Sequence, residues 1–150
     1  MPYSTLDGIK GKIPEQELIQ LTDDPDPVTG QGAGVVNTTV FDSENAATQN
    51  LIDGYLRGRY TLPFATLPPE LIDLSDSILI YKLHVHRFRT NVPESLNLQY
   101  KRDVEQLVAI QKGVFKLNIE DPASAPAAGG YKTNKTKNDR IFGKDKLDQY

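Results

Sequence analysis

The residues best equipped for chemistry are two histidines, His84 and His86, in a chain of 150 residues that has no cysteine. Two positions along a helix turn the side chain by roughly 200°, so these rings do not share a metal as an i, i+4 pair does. Their pattern fits one histidine set into a helix face and the other exposed beside Arg87 and Arg89. Without cysteine there is no disulfide, thiolate nucleophile, iron–sulfur cluster or cysteine-bound zinc to consider. Ser4, Ser43, Ser75, Ser77, Ser95 and Ser124 lack a Gly-x-Ser-x-Gly elbow and a histidine placed to serve them. The acidic run Asp23, Asp24, Asp26 has the composition of a calcium loop but not its ligand spacing, its sixth-position glycine or its closing Glu. Gly30-Gln-Gly32-Ala-Gly34 follows no strand and precedes no Gly-Lys-Ser/Thr, so it is not a phosphate cradle. The expectation is a protein with no catalytic residue, no bound metal and no cofactor.

The cations carry more information. Arg57-Gly-Arg59-Tyr60 and Arg87-Phe-Arg89 place four arginines near expected helix ends, where the C-terminal dipole favours positive charge. Arg57 and Arg59 diverge around Gly58, and the planar guanidinium suits a bidentate carboxylate contact, so both are candidate subunit-interface residues. Asp53, Asp73 and Asp76, of the same subunit or the next, are the acids considered for that contact. Lys132, Lys135, Lys137 and Arg140 form a basic stretch interleaved with Thr and Asn, the composition of a solvated segment. After it the chain regains Ile141, Phe142, Leu147 and Tyr150, apolar groups with no domain of their own. A short motif of that kind, Arg140 to Tyr150, is expected to dock on its own bundle or on a partner.

The elements that must position these residues follow from punctuation and periodicity. Residues 1–120 hold eleven Lys and Arg against sixteen Asp and Glu, whereas 121–150 hold six against four. Body and tail thus differ in sign, and Asp121-Pro-Ala-Ser-Ala-Pro-Ala-Ala-Gly-Gly130 between them reads as linker. The division expected is a domain over 1–120, a flexible linker over 121–138 and a docking segment over 139–150. Within the body, a helical turn is expected over 4–9 and a short helix over 15–21 after Pro14. A surface loop rich in Pro, Gly and Asp follows. Apolar steps of three and four residues predict a long helix over about 37–60, with Asn37, Asp42 or Ser43 as its cap. Pro69 opens a helix to Arg89 that is apolar on more than one face, hence central to the assembly. Pro93 opens another to Gln111, closed by Gly113 as a left-handed cap. Leu51, Tyr55, Leu74, Ile78, Leu107 and Val108 are the expected core, and Val114 to Ile119 an extended piece on its edge. The fold class is all-α, a small antiparallel helical bundle with an extended C-terminal tail. No apolar run approaches the length of a membrane span and no secretory signal opens the chain, which reads as soluble and cytoplasmic.

Taken in order, these segments resemble the Mu-like phage head-completion family. The resemblance rests on Met1-Pro-Tyr-Ser-Thr-Leu-Asp7, on Ile13-Pro-Glu-x-Glu-Leu-Ile-Gln-Leu-Thr-Asp-Asp24 and, most specifically, on Ile52-Asp-Gly-Tyr-Leu-Arg-Gly-Arg-Tyr-Thr-Leu-Pro63. It continues through Tyr81-Lys-Leu, Tyr100-Lys-Arg, Ala109-Ile-Gln-Lys-Gly113 and Arg140-Ile-Phe-Gly-Lys-Asp-Lys-Leu147. Residues 37–49 depart from it, being more polar and β-branched than the Ala-rich helix of that family.

What the resemblance implies is a head–tail connector in the virion neck, put together in the bacterial host cytoplasm. Such proteins form a homo-oligomeric ring of neighbouring copies, about twelve by the resemblance, beneath the portal protein. Their tails dock on the portal, here through Arg140, Ile141, Phe142, Leu147 and Tyr150. A downstream stopper or tail-completion protein then binds, and DNA passes through the lumen without sequence-specific contact. Net negative charge suits such a lumen, because an acidic wall repels phosphates. The competing expectation is a DNA-binding packaging or regulatory module that uses Lys132 to Arg140 as a phosphate-contacting arm. The tail, residues 131–150, is expected to be disordered in the monomer and ordered in the assembly, being too polar to offset an ordering cost of roughly 1–2 kcal/mol per residue.

Overall fold

The computed structural model describes residues 2–23, 32, 34–89 and 91–119. These form five helices: α1 over Leu6–Lys10, α2 over Glu15–Thr22, α3 over Thr38–Leu56, α4 over Pro69–Phe88 and α5 over Glu94–Lys112. Among the described residues there is no strand, and the fold is all-helical. The linker expected over 121–138 and the docking segment over 139–150 lie outside the described residues.

Local chemistry sets the helix ends. Thr5 caps α1, its hydroxyl accepting from the Gly8 amide at 3.1 Å. Asn37 is the one cap of the three candidates that acts: its side-chain oxygen accepts from Thr39 and Val40 at 3.1 and 3.3 Å. The β-branched run Thr38-Thr-Val40 is therefore helical from its first residue, because a side-chain cap offsets the modest penalty such residues carry in a helix. Pro69 stands in the first turn of α4, where its missing N–H costs nothing. Gly113 closes α5 at φ +80°, and the Val114 amide reaches back to the Ala109 carbonyl at 2.9 Å, the reach of a Schellman closure.

Side-chain pairs define the helix directions. Ser77 meets Asp103 and Tyr81 stacks on Tyr100, so α4 and α5 run antiparallel. Phe41 joins Leu79 and Leu83 in one apolar cluster, while Ile52 and Leu56 join Leu71, Leu74 and Ile78 in another, so α3 and α4 are also antiparallel. It follows that α3 and α5 run parallel. Helix α4 touches every other helix, and its buried residues, from Leu71 to His84, cover several faces. That is why its sequence shows no clean polar side.

The register of α3 differs from expectation. Leu51 and Tyr55 are only half-buried, as is Val108 on α5, whereas Leu74, Ile78 and Leu107 are buried. The inward stripe of α3 is Phe41, Asn45, Thr48, Ile52 and Leu56. Two of its five members are polar, which hid it and drew the pattern to the next face. The Asn45 amide donates to the Ser4 carbonyl at 3.0 Å while its Oδ1 has no partner among the described residues, and the Thr48 hydroxyl donates to the Glu44 carbonyl at 2.8 Å, so each makes one bond inside the fold. With Ser4 and Ser75, paired at 2.7 Å, they form a polar layer between the two apolar clusters. Residues 114–119 form bends and irregular backbone, not an extended edge. Their anchor is Leu117, which is buried and whose amide donates to the Tyr60 hydroxyl at 3.2 Å.

Candidate functional site

Gln49, Asp53 and Arg57 recur every four residues on α3 and so share one flank, a face away from the buried stripe. Opposite them the chain between α3 and α4 folds back through Thr61, Leu62, Pro63, Phe64 and Leu67. Together with Tyr3 and Tyr60 these residues line a cleft of about 610 Å³. One wall is apolar and aromatic, and Phe64 sits 6.3 Å from the Tyr3 ring and 6.0 Å from the Tyr60 ring. The other wall is polar and carries one acid and one cation.

Tyr3 fixes that geometry. Its hydroxyl donates to Asp53 Oδ1, tying the first residues of the described chain to α3. Burial, reinforced by the adjacent Asp53 carboxylate, pushes the Tyr3 phenol well above its usual range. Asp53 is thereby engaged within the chain. Asp73 and Asp76 are engaged as well, by Lys12 at 2.7 and 3.0 Å. Asp76 is buried and its Oδ1 has no hydrogen-bond partner among the described residues, so Lys12 is the charge that makes its burial tolerable.

The two candidate interface arginines part company. Arg57 is exposed on the cleft rim and makes no ion pair among the described residues. Arg59 turns the other way and is half-buried. Its guanidinium lies against the Gly113 cap, where an added Cβ would stand 2.1 Å from Nη1, and 5.9 Å over the Tyr60 ring. There it faces the C-terminal end of α5, a position that suits a cation. None of the three acids considered as partners reaches either arginine within the chain.

The remaining candidates are scattered. His84 is buried, its Nδ1 2.9 Å from the Ile80 carbonyl and its Nε2 3.5 Å from Glu17. His86 is half-buried with its Nδ1 3.6 Å from Glu44. The two rings therefore face different helices. Arg87 and Arg89 are exposed at the end of α4, where Arg89 adopts φ +49°. Asp23 accepts from the Gly34 amide at 3.1 Å, while Asp24, Asp26 and Gly30 lie outside the described residues. So do Lys132, Lys135, Lys137, Arg140, Ile141, Phe142, Leu147 and Tyr150. Among the described residues no group of three or more His, Asp or Glu is placed to hold a metal ion, and no helix is long and apolar enough to cross a membrane.

Sequence reasoning missed Asp103 and the cleft itself. Asp103 is buried in the groove between α4 and α5, accepting from Ser77 at 2.5 Å and Gln99 at 2.9 Å. The four-residue spacing of Gln99 and Asp103 was the available signal for that bond. The cleft had none, because it joins residues fifty positions apart.

The fold and the cleft belong to a small helical protein. Compared with known families, the chain matches Bacteriophage Mu, Gp36 over residues 3–135. That span is most of its length, and the chain belongs to this phage family. No curated protein matches it in sequence.

Proposed function

We propose that the chain is a structural head–tail connector of a tailed phage: a ring of copies beneath the portal protein that joins head to tail, takes a downstream stopper or tail-completion protein, and lets DNA through its lumen. The observation that carries this reading is membership of the Mu phage family across residues 3–135. The all-helical bundle supports it, since a rigid helical body suits repetitive lateral packing. A net charge of −3 for the whole chain supports a lumen that passes DNA without gripping it. The reading assigns no catalytic step and no cofactor; the protein acts by position, in the virion neck.

Gene deletion and complementation test it. Without the protein, electron microscopy is expected to show heads and tails that fail to join, and the supplied chain restores joined particles and binds purified portal protein. Normal joining in its absence would overturn the reading. Salt-dependent binding to duplex DNA by residues 132–140, with joining intact, would favour the DNA-binding alternative.

A further inference from the structure

We infer that the Asp53–Arg57 flank of α3 is the docking face for the outward face of α5 on a second copy of this chain, in a parallel, head-to-tail contact. The inference rests on the ring proposed above and names the surfaces that would close it.

The two faces lie on opposite flanks of the bundle. On α3, Asp53 and Arg57 border the cleft, with Asp53 accepting from the Tyr3 hydroxyl, whereas Tyr55 on the other flank lies beside Tyr100 of α5. The outward side of α5 carries Leu98, Arg102 and Glu105, spaced four and three apart and so on one stripe. All three are exposed, Leu98 at 46%, which is high for a large apolar side chain on a helix. Arg102 and Glu105, like Arg57, make no ion pair among the described residues, and Asp53 offers its second oxygen. A cyclic ring needs two different, complementary faces on each subunit, and this arrangement supplies them.

Charge order then fixes direction. Along α3 the acid precedes the cation by four residues, and along α5 the cation precedes the acid by three. Copies around a ring keep their helices parallel where those helices run along the ring axis, and α3 and α5 already run parallel within one copy. Aligned that way, Asp53 meets Arg102 and Arg57 meets Glu105. The spacings are about 6 and 4.5 Å along the helix axes, a difference these side chains absorb. The antiparallel alignment would set Asp53 against Glu105 and Arg57 against Arg102. A contact about a two-fold axis perpendicular to these helices is thereby disfavoured, and the parallel head-to-tail one is favoured.

The absence of cysteine makes a clean test possible. In the full-length chain, Arg57→Cys and Glu105→Cys are introduced singly and together, with circular dichroism confirming the fold. Concentrated protein and purified particles are both oxidised, and light scattering reports the mass before oxidation. Because the two positions lie on opposite flanks, the double variant cannot close a bridge within one chain. The expected result is a ladder of covalent oligomers from the double variant, a dimer from an equimolar mixture of the singles, and monomer from each single alone. Arg57→Glu is expected to reduce self-association at least tenfold, with Glu105→Arg restoring it in the double charge swap. Oligomers that form without the ladder would overturn this interface while leaving the connector reading intact. A chain that stays monomeric in concentrated solution and gives no ladder in particles would overturn the inference too. A ladder in solution with normal joining in the deletion strain would retain the interface and reject the connector function.

Discussion

At the scale of single residues, the most consequential side chain is Tyr3, whose phenol holds the cleft wall against α3. Its folded-state ionisation is pushed up by burial and by Asp53. Above the ordinary tyrosine value of about 10, the unfolded chain releases this proton while the folded chain keeps it. The native state then binds more protons than the unfolded one, so stability falls as pH rises beyond that point. Denaturant midpoints measured between pH 8 and 11 are expected to decline more steeply for the wild type than for Tyr3→Phe. Parallel declines would show that Tyr3 does not control this pH range. At neutral pH, Tyr3→Phe is expected to cost about 1.5–3 kcal/mol, the usual range for losing a hydrogen bond to a charged acceptor.

At the scale of elements, α4 and the closure of α5 decide the fold. Leu74 and Leu107 are buried in the same apolar cluster, and truncation of either to alanine removes contacts that the packed helices cannot refill. Chemical denaturation is expected to show a loss of about 2–5 kcal/mol for each. A loss under about 1 kcal/mol at both would mean that the cluster is not the core. Gly113→Ala acts differently. Its φ of +80° is costly for any residue with a Cβ, and the new methyl would displace the Arg59 guanidinium. The expected cost is about 1–2 kcal/mol, whereas a neutral effect would place the closure of α5 outside the stabilising set. Arg59→Ala in the Gly113→Ala background separates the two contributions: if the clash matters, the glycine substitution costs less there.

At the scale of the whole molecule, the buried apolar residues described all lie at or before Leu117, and removal of the residues after Gly130 is expected to leave the melting temperature of the helical body nearly unchanged. Under the connector reading the same truncation abolishes incorporation into particles, because the segment from Arg140 to Tyr150 is the proposed portal anchor. Normal incorporation of the truncated chain would reject the anchor role. Immunodetection in purified particles, together with calorimetry of the free protein, measures both outcomes.

The sequence alone determined the helices, since their ends are written in local chemistry: Asn37, Pro69 and Gly113 act within a turn of where they stand. It also determined that α4 is central, because a helix apolar on several faces has to be surrounded. The face of α3 that turns inward was not legible. Asn45 and Thr48 are polar by type, and only their bonds to the Ser4 and Glu44 carbonyls make burial acceptable. The fates of Arg57 and Arg59 were equally hidden, two residues apart in sequence and alike in chemistry. One reaches the rim of a cleft whose far wall is a loop, the other the end of a helix more than fifty residues later. Such choices depend on which distant groups arrive next to a side chain, and only tertiary packing brings them there.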